Sequence, residues 1–389
     1  MIQVAFISFT DLRTGAGTEN VVLNYVKYAN PERVKVHVID TDWIYDGVAF
    51  KSNSEVDSAL VNSQHIQIHS YVAPFAFLNR HVATRLLFEL LFSSVLYRII
   101  GRIVYRKLFN DLSKLDFVFL MDNPYAMCFP RKKGTHQAKL IATSHCFNPT
   151  KSKVTLLKII PFTWFNKVDC IHLFPNQSQS EILFADKTTI LLPNGVDTSL
   201  YDINASRHDK LRFLFVARLT KSKGILRVMA AWQRFKVKDK AELHIVGGGP
   251  LSDAAAHSSL QGVFYHGILT EDQLADIYRS SDVFIYPTSA DVFPLSVNQA
   301  LSSGLYCILG DSLKGLYDEF VSIGCAEYID PDDIDAMSSK MNDILCNQTT
   351  ITQGKQRCRE LMISKYSWQS IVSNMYEMLE KMKTQSSSG

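Results

Sequence analysis

The sequence predicts an α/β protein of two doubly wound halves, and three observations carry that expectation. Short runs rich in Val, Ile and Phe alternate along the chain with segments of helical period. The runs are continuously apolar, as strands of a parallel sheet buried on both faces require. No Ser/Gly/Pro-rich linker or low-complexity tract interrupts the 389 residues before the Gln385-Ser-Ser-Ser-Gly389 tail, so two domains are expected. A composition of 47% hydrophobic and 20% charged residues excludes a disordered chain. The net charge of +3 excludes a protein that coats polyanions, and no nucleic-acid partner is expected.

Taken in order, residues 2–9 (Ile-Gln-Val-Ala-Phe-Ile-Ser-Phe) read as the first strand. The N-terminus has neither a basic segment nor a small-residue cleavage site, so no signal peptide is expected and the protein is placed in the cytoplasm. Gly15-Ala-Gly17 precedes the helix-like segment 21–28. Glycines between a strand and a helix let the backbone approach a ligand, and the free N–H groups of the first turn favour an anion. Asn20 stands where a dinucleotide fingerprint has its third glycine, so a tight structural turn accounts for Gly15 and Gly17 equally well. Segments 34–40, 117–121, 139–143 and 170–174 are the next strands, and a strand-like 189–192 runs into the turn Pro193-Asn194-Gly195. In the second half the strands are 211–217, 242–246, 263–266, 283–286, 306–309 and 327–329. Seven cysteines without a Cys-x-x-Cys pair or a zinc-like histidine spacing indicate a reduced setting and no metal site.

Charge is distributed unevenly. Residues 74–167 hold 15 Lys and Arg against 4 Asp and Glu, an excess of 11 positive charges, which leaves the rest of the chain at −8 for the total of +3. Within that region the apolar stretch 88–97 is flanked by Arg80, Arg85, Arg98, Arg102, Arg106 and Lys107. Segment 151–167 mixes Phe162, Trp164 and Phe165 with four lysines. The 88–97 stretch falls short of the roughly 20 apolar residues of a transmembrane helix. Basic residues beside aromatics suit an anionic membrane surface, so peripheral attachment through this half is expected. A buried domain helix with solvated arginine ends is the alternative for 88–97.

Motifs concentrate in the second half. Segment 213–220 (Phe-Leu-Phe-Val-Ala-Arg-Leu-Thr) runs into Lys221-Ser-Lys223-Gly224, which sets Arg218 and Lys223 beyond the C-terminal end of a strand, where α/β sheets bind ligands. Ile245-Val-Gly-Gly248-Gly-Pro and His266-Gly267 follow, then Tyr286-Pro-Thr-Ser-Ala-Asp291-Val-Phe-Pro294-Leu295-Ser296-Val-Asn-Gln299. In this order they resemble the C-terminal domain of GT-B glycosyltransferases of the family 4 (group 1) type, which take nucleotide sugars as donors and retain anomeric configuration. The resemblance is dense from 192 to 310 and extends to 15–19, to the strand ending at Ser144-His145, and to Tyr366-Ser-Trp368.

The resemblance implies two Rossmann-like domains facing each other across a cleft. The acceptor-side domain would span 1–192, joined by a C-terminal helix 367–383, and the nucleotide-sugar-binding domain 193–366. It assigns the diphosphate of a UDP- or GDP-linked donor to Arg218 and Lys223, two fixed cations that stabilise charge growing on the leaving group, with no divalent metal required. The family carries two glutamates eight positions apart around a Phe-Gly-Leu turn; here Asp291 and Gln299 hold those places and Pro294 replaces the glycine. Asp291 then contacts hydroxyls of the donor sugar, and Gln299 the ribose hydroxyls, with an oxygen to accept and an amide to donate. The N–H groups of Leu295 and Ser296, at a helix start, face a phosphate. His266-Gly267 contacts the base by its backbone, and Gly15, Gly17 and Gly248 complete the donor-binding set. His145, at a strand end, hydrogen-bonds the donor sugar or positions the acceptor. The expected activity is a retaining, metal-independent glycosyl transfer to a glycan or polyprenyl-linked acceptor at a membrane surface. The Asp291/Gln299 pair keeps open a non-catalytic GT-B partner subunit, and a sugar-nucleotide epimerase of the same fold is a further alternative.

Overall fold

The structure, a computed structural model, describes residues 1–10, 17–44, 66–71, 115–121, 138–143, 168–175, 187–203 and 209–387. The chain divides into two compact units, one of Met1–Pro193 with Ile371–Gly389 and one of Asn194–Ser370.

The first unit holds a seven-stranded parallel sheet in the order β3-β2-β1-β4-β5-β6-β7. Its strands are β1 (Ile2–Thr10), β2 (Val34–Ile44), β3 (Ile66–Tyr71), β4 (Phe117–Leu120), β5 (Lys139–Thr143), β6 (Cys170–Leu173) and β7 (Thr188–Leu191). Consecutive Val4, Ala5, Phe6 and Ile7 are all fully buried, which is why the strand lacks polar alternation. Strand β3 escaped the sequence reading: Ile66-Gln-Ile-His-Ser-Tyr alternates apolar with polar residues, and it lies at the sheet edge with β2 as its neighbour. Helix α1 (Gly17–Lys27) follows β1 and buries Val21, Val22, Tyr25 and Val26. The C-terminal helix (Trp368–Ser387) contributes buried Ile371, Val372, Met375, Tyr376 and Leu379. Its outer turns are tied down by Glu380 to Arg33 (2.6 Å) and Lys383 to Asp116 (2.8 Å). The apolar stretch 88–97, the segment 151–167, Gly15 and His145 lie outside the described residues. Among the described residues no helix is long and apolar enough to cross a membrane.

The second unit holds a six-stranded parallel sheet in the order β10-β9-β8-β11-β12-β13. Its strands are β8 (Leu211–Val216), β9 (Ala241–Val246), β10 (Val263–Tyr265), β11 (Val283–Tyr286), β12 (Tyr306–Gly310) and β13 (Ala326–Ile329). Chain order reverses between β8 and β11, neighbours through Phe213 and Val283. At such a point the connections leave in opposite directions and a crevice opens at the C-terminal strand ends. Helix α2 (Ile225–Arg234) follows β8, and helix α3 (Leu295–Ser302) follows β11, so both helices begin at this crevice.

Candidate functional site

Two loops build the site. From β8 the chain passes Arg218 and Lys223 and enters α2 at Gly224, whose φ of 92° lies in the left-handed region that favours glycine. A Cβ at Gly224 would overlap the Pro287 carbonyl, so the β8 loop sits directly on the loop leaving β11. The two are laced together at Ser222: its carbonyl accepts from the Ser289 N–H (2.9 Å) and from the Thr288 and Ser289 hydroxyls (3.2 Å each).

Across this seam Lys223 Nζ lies 2.5 Å from Asp291 Oδ2, and both side chains are less than a quarter exposed. The Tyr286 hydroxyl donates to the same oxygen (2.6 Å), and the Val292 N–H donates to Oδ1 (2.8 Å). Three of the carboxylate's roughly four acceptor positions are thus filled among the described residues, the fourth lying on Oδ1. Burial, then the Asp291 charge, pushes the Tyr286 phenol well above its ordinary pKa, which keeps it a donor. Arg218 is exposed and forms no ion pair among the described residues. The β8 loop therefore presents Arg218 as an exposed cation, unpaired among the described residues, and a lysine already neutralised by Asp291.

Helix α3 starts at Pro294 without a side-chain cap. The Val297 N–H folds back onto the Pro294 carbonyl (3.2 Å), while the N–H groups of Leu295 and Ser296 have no acceptor among the described residues. Such uncapped donors at a helix start form an anion site. Gln299, one turn further on, is half-buried and faces the buried Tyr201 hydroxyl, outside good hydrogen-bond geometry.

On the other flank of β8, Gly248 follows β9 and His266-Gly267 follows β10. The Gly248 carbonyl accepts from the Leu219 N–H (2.9 Å), and the Gly267 carbonyl from the Gly247 N–H (2.7 Å). The His266 N–H is held by the Ile245 carbonyl (2.9 Å), and among the described residues no partner is found for the His266 carbonyl or the Gly267 N–H. The His266 ring turns to His244 (2.9 Å), which is backed by Glu242 (3.3 Å). Burial lowers the pKa of both imidazoles. Gly17 opens α1 in the first unit.

Residues 198–361 match the model of the glycosyl transferases group 1 family. This segment is a group 1 glycosyltransferase domain. An uncharacterized glycosyltransferase of Methanocaldococcus jannaschii is 24% identical over 218 residues, 51% of this chain and 55% of that protein. The MMP α-(1→4)-mannosyltransferase of Mycolicibacterium hassiacum is 23% identical over 198 residues, 49% of this chain and 48% of that protein. The chain thus spans about half the length of these curated relatives. As a fold the whole chain is GT-B: it superposes on sucrose-phosphate synthase of Thermosynechococcus elongatus with a TM-score of 0.75 at 15% identity, covering 99% of this chain and 100% of that one. Anabaena HepE in complex with UDP-glucose gives 0.71 at 13% identity, covering 98% and 100%.

Within the group 1 domain the structure joins Lys223 and Asp291, 68 positions apart, and sets Arg218 on the first of these loops and Leu295 and Ser296 at the start of α3, where the second loop ends. Sequence reading did not single out Tyr286, Asn298 or Tyr317. A tyrosine closing an apolar strand and an asparagine on the inner side of α3 were the available signals.

Proposed function

We propose that this chain is a glycosyltransferase that moves a sugar from a UDP- or GDP-linked donor to a glycan or lipid-linked acceptor. The observation that carries the reading is the meeting of the β8 loop, which bears Arg218 and Lys223, with the β11 loop that leads to the uncapped start of α3, at the sheet's switch point. The chemistry needs such a place. As the glycosidic bond breaks, negative charge grows on the diphosphate, and fixed cations with backbone N–H groups stabilise it without reorganising. The Asp291–Lys223 pair opens on donor entry, Lys223 moving to the phosphate while Asp291 accepts from a sugar hydroxyl. These side chains do the work of a divalent cation, so transfer is metal-independent. Retention of configuration follows from the likeness to group 1 enzymes, with the leaving phosphate taking the acceptor hydroxyl's proton. The basic excess over 74–167 supports an acceptor held at an anionic membrane surface. The UDP-glucose bound by HepE supports a nucleotide-sugar donor.

The test is incubation of the protein with a panel of UDP- and GDP-sugars and polyprenyl-phosphate or glycan acceptors, with the product's anomeric configuration read by NMR. An α-linked product from an α-linked donor is expected; inversion would overturn retention. Because Lys223 is neutralised and Asp291 and Gln299 stand at the family's glutamate positions, a non-catalytic partner subunit is the second reading. Binding of nucleotide without hydrolysis or transfer for any donor would favour it.

A further inference from the structure

The start of α3 is braced from behind by a buried polar cluster that the reaction chemistry does not use. Asn194 is 4% exposed, and Asn298 and Tyr317 are fully buried. The Asn194 side-chain amide donates to the Phe293 carbonyl (3.1 Å), and the Asn298 amide donates to the Asn194 carbonyl (2.8 Å). The Tyr317 hydroxyl, with one proton to share, lies 3.3 Å from the Pro294 carbonyl and 3.2 Å from Asn298 Oδ1. Two buried side chains, Asn194 and Tyr317, therefore converge on the two carbonyls that precede Leu295, and buried Asn298 ties them together through the Asn194 carbonyl and the Tyr317 hydroxyl.

Peptide geometry turns this bracing into an aiming device. The bond between Pro294 and Leu295 is trans, so its carbonyl and its N–H point in opposite directions. Holding the Pro294 oxygen inward fixes the Leu295 N–H outward. We propose that Tyr317, Asn298 and Asn194 are positioning residues that aim the Leu295 N–H at the donor's diphosphate. This rests on the glycosyltransferase reading. Burial and then the Asp291 charge raise the Tyr317 pKa, which keeps its hydroxyl protonated and donating. Asn298 has no packing reason to be polar: its neighbours on α3, Val297, Ala300 and Leu301, are buried apolar residues. A buried amide there is retained only if its bonds matter.

The experiment compares the parent protein with Tyr317→Phe and Asn298→Ala by calorimetric titration with UDP, GDP, uridine and guanosine. Tyr317→Phe keeps the ring against Phe293 (5.8 Å) and Phe320 (6.1 Å), so the fold is expected to stand. If the hydroxyl aims an anion donor, the affinity for the diphosphate that the parent binds falls about three- to tenfold, while the affinity for its nucleoside stays within about twofold. Asn298→Ala is expected to show the same split. A merely structural role would lower the melting temperature and leave the diphosphate-to-nucleoside ratio unchanged in both variants, which overturns the proposal while the glycosyltransferase reading stands. A parent that binds neither UDP nor GDP overturns both.

Discussion

Replacing Asp291 by Asn tests the state of Lys223. In the structure the Asp291 carboxylate takes the Lys223 ammonium at 2.5 Å and the Tyr286 hydroxyl at 2.6 Å on one oxygen. Both members of the ion pair are less than a quarter exposed, so solvent screens the pair little. A hydrogen bond to a charged group is worth about 1.5–3 kcal/mol, and each 1.4 kcal/mol is about tenfold in affinity. On the proposed function an incoming diphosphate displaces that bond, so Asp291→Asn is expected to tighten UDP or GDP binding by about tenfold, rising to about a hundredfold if the whole pair energy is recovered. The variant also carries a cost. With its oxygen toward Lys223 and Tyr286, the new amide points its N–H₂ at the Val292 N–H, two donors face to face, which costs about 1–3 kcal/mol. For a unit of this size that lowers the melting temperature by about 2–4 °C per kcal/mol. Turnover is expected to fall even as the nucleotide binds more tightly, because the sugar hydroxyl loses its charged acceptor. Isothermal titration with UDP and GDP beside a donor assay reads both quantities. Unchanged or weaker diphosphate binding in a folded Asp291→Asn protein would show that Lys223 does not serve the phosphates.

Gly224→Ala forces a side chain into a left-handed backbone against the Pro287 carbonyl, so it is expected to cost more than about 1 kcal/mol in urea unfolding and to weaken diphosphate binding by parting the two loops. His172 is buried, its Nε2 is 2.8 Å from the Leu192 carbonyl, and burial lowers its pKa to about 4 from 6.5. Its folded pKa is depressed, so its contribution is complete above about pH 6.5 and is lost as pH falls toward 4; between pH 7.5 and 5 the parent is expected to lose about 2 kcal/mol more than His172→Gln in denaturant melts. Leu379→Ala, in the buried stripe of the C-terminal helix, is expected to destabilise the first unit by about 2–5 kcal/mol, and a loss below about 1 kcal/mol would mean that the helix is not docked there.

Much of the fold was legible because parallel strands buried on both faces leave unbroken apolar runs; β1, β8 and β11 were read within one or two residues of their ends. Strand β3 was not, since an edge strand keeps polar residues such as Gln67 and His69 and looks like a loop. Strand β2 runs four residues beyond the apolar run 34–40, because Thr41-Asp42 breaks that run although the strand is paired on both sides. Of the candidate site, strand ends pointed to Arg218 and Lys223, and the resemblance to group 1 glycosyltransferases supplied Asp291, Leu295 and Ser296. Their state could not be read. Whether Lys223 is open or paired depends on a partner 68 positions away, and whether α3's first N–H is aimed depends on Tyr317, 23 positions beyond Pro294. Contacts of that range leave no periodicity in sequence. At His266-Gly267 backbone bonds take the His266 N–H and the Gly267 carbonyl, a pairing between neighbouring strand ends that the sequence does not display.

In the proposed mechanism Arg218 and Lys223 carry the charge of the leaving diphosphate in place of a metal. Initial-rate sugar transfer by the parent, Arg218→Ala and Lys223→Ala in excess EDTA, with the donor that binds best, tests it directly. The parent is expected to keep its full rate in chelator, and each variant to lose about 10²–10³-fold, the usual effect of deleting one preorganised charge-stabilising donor. Loss of the parent's activity in EDTA with recovery in manganese or magnesium, or near-parent rates from both variants, would contradict the account.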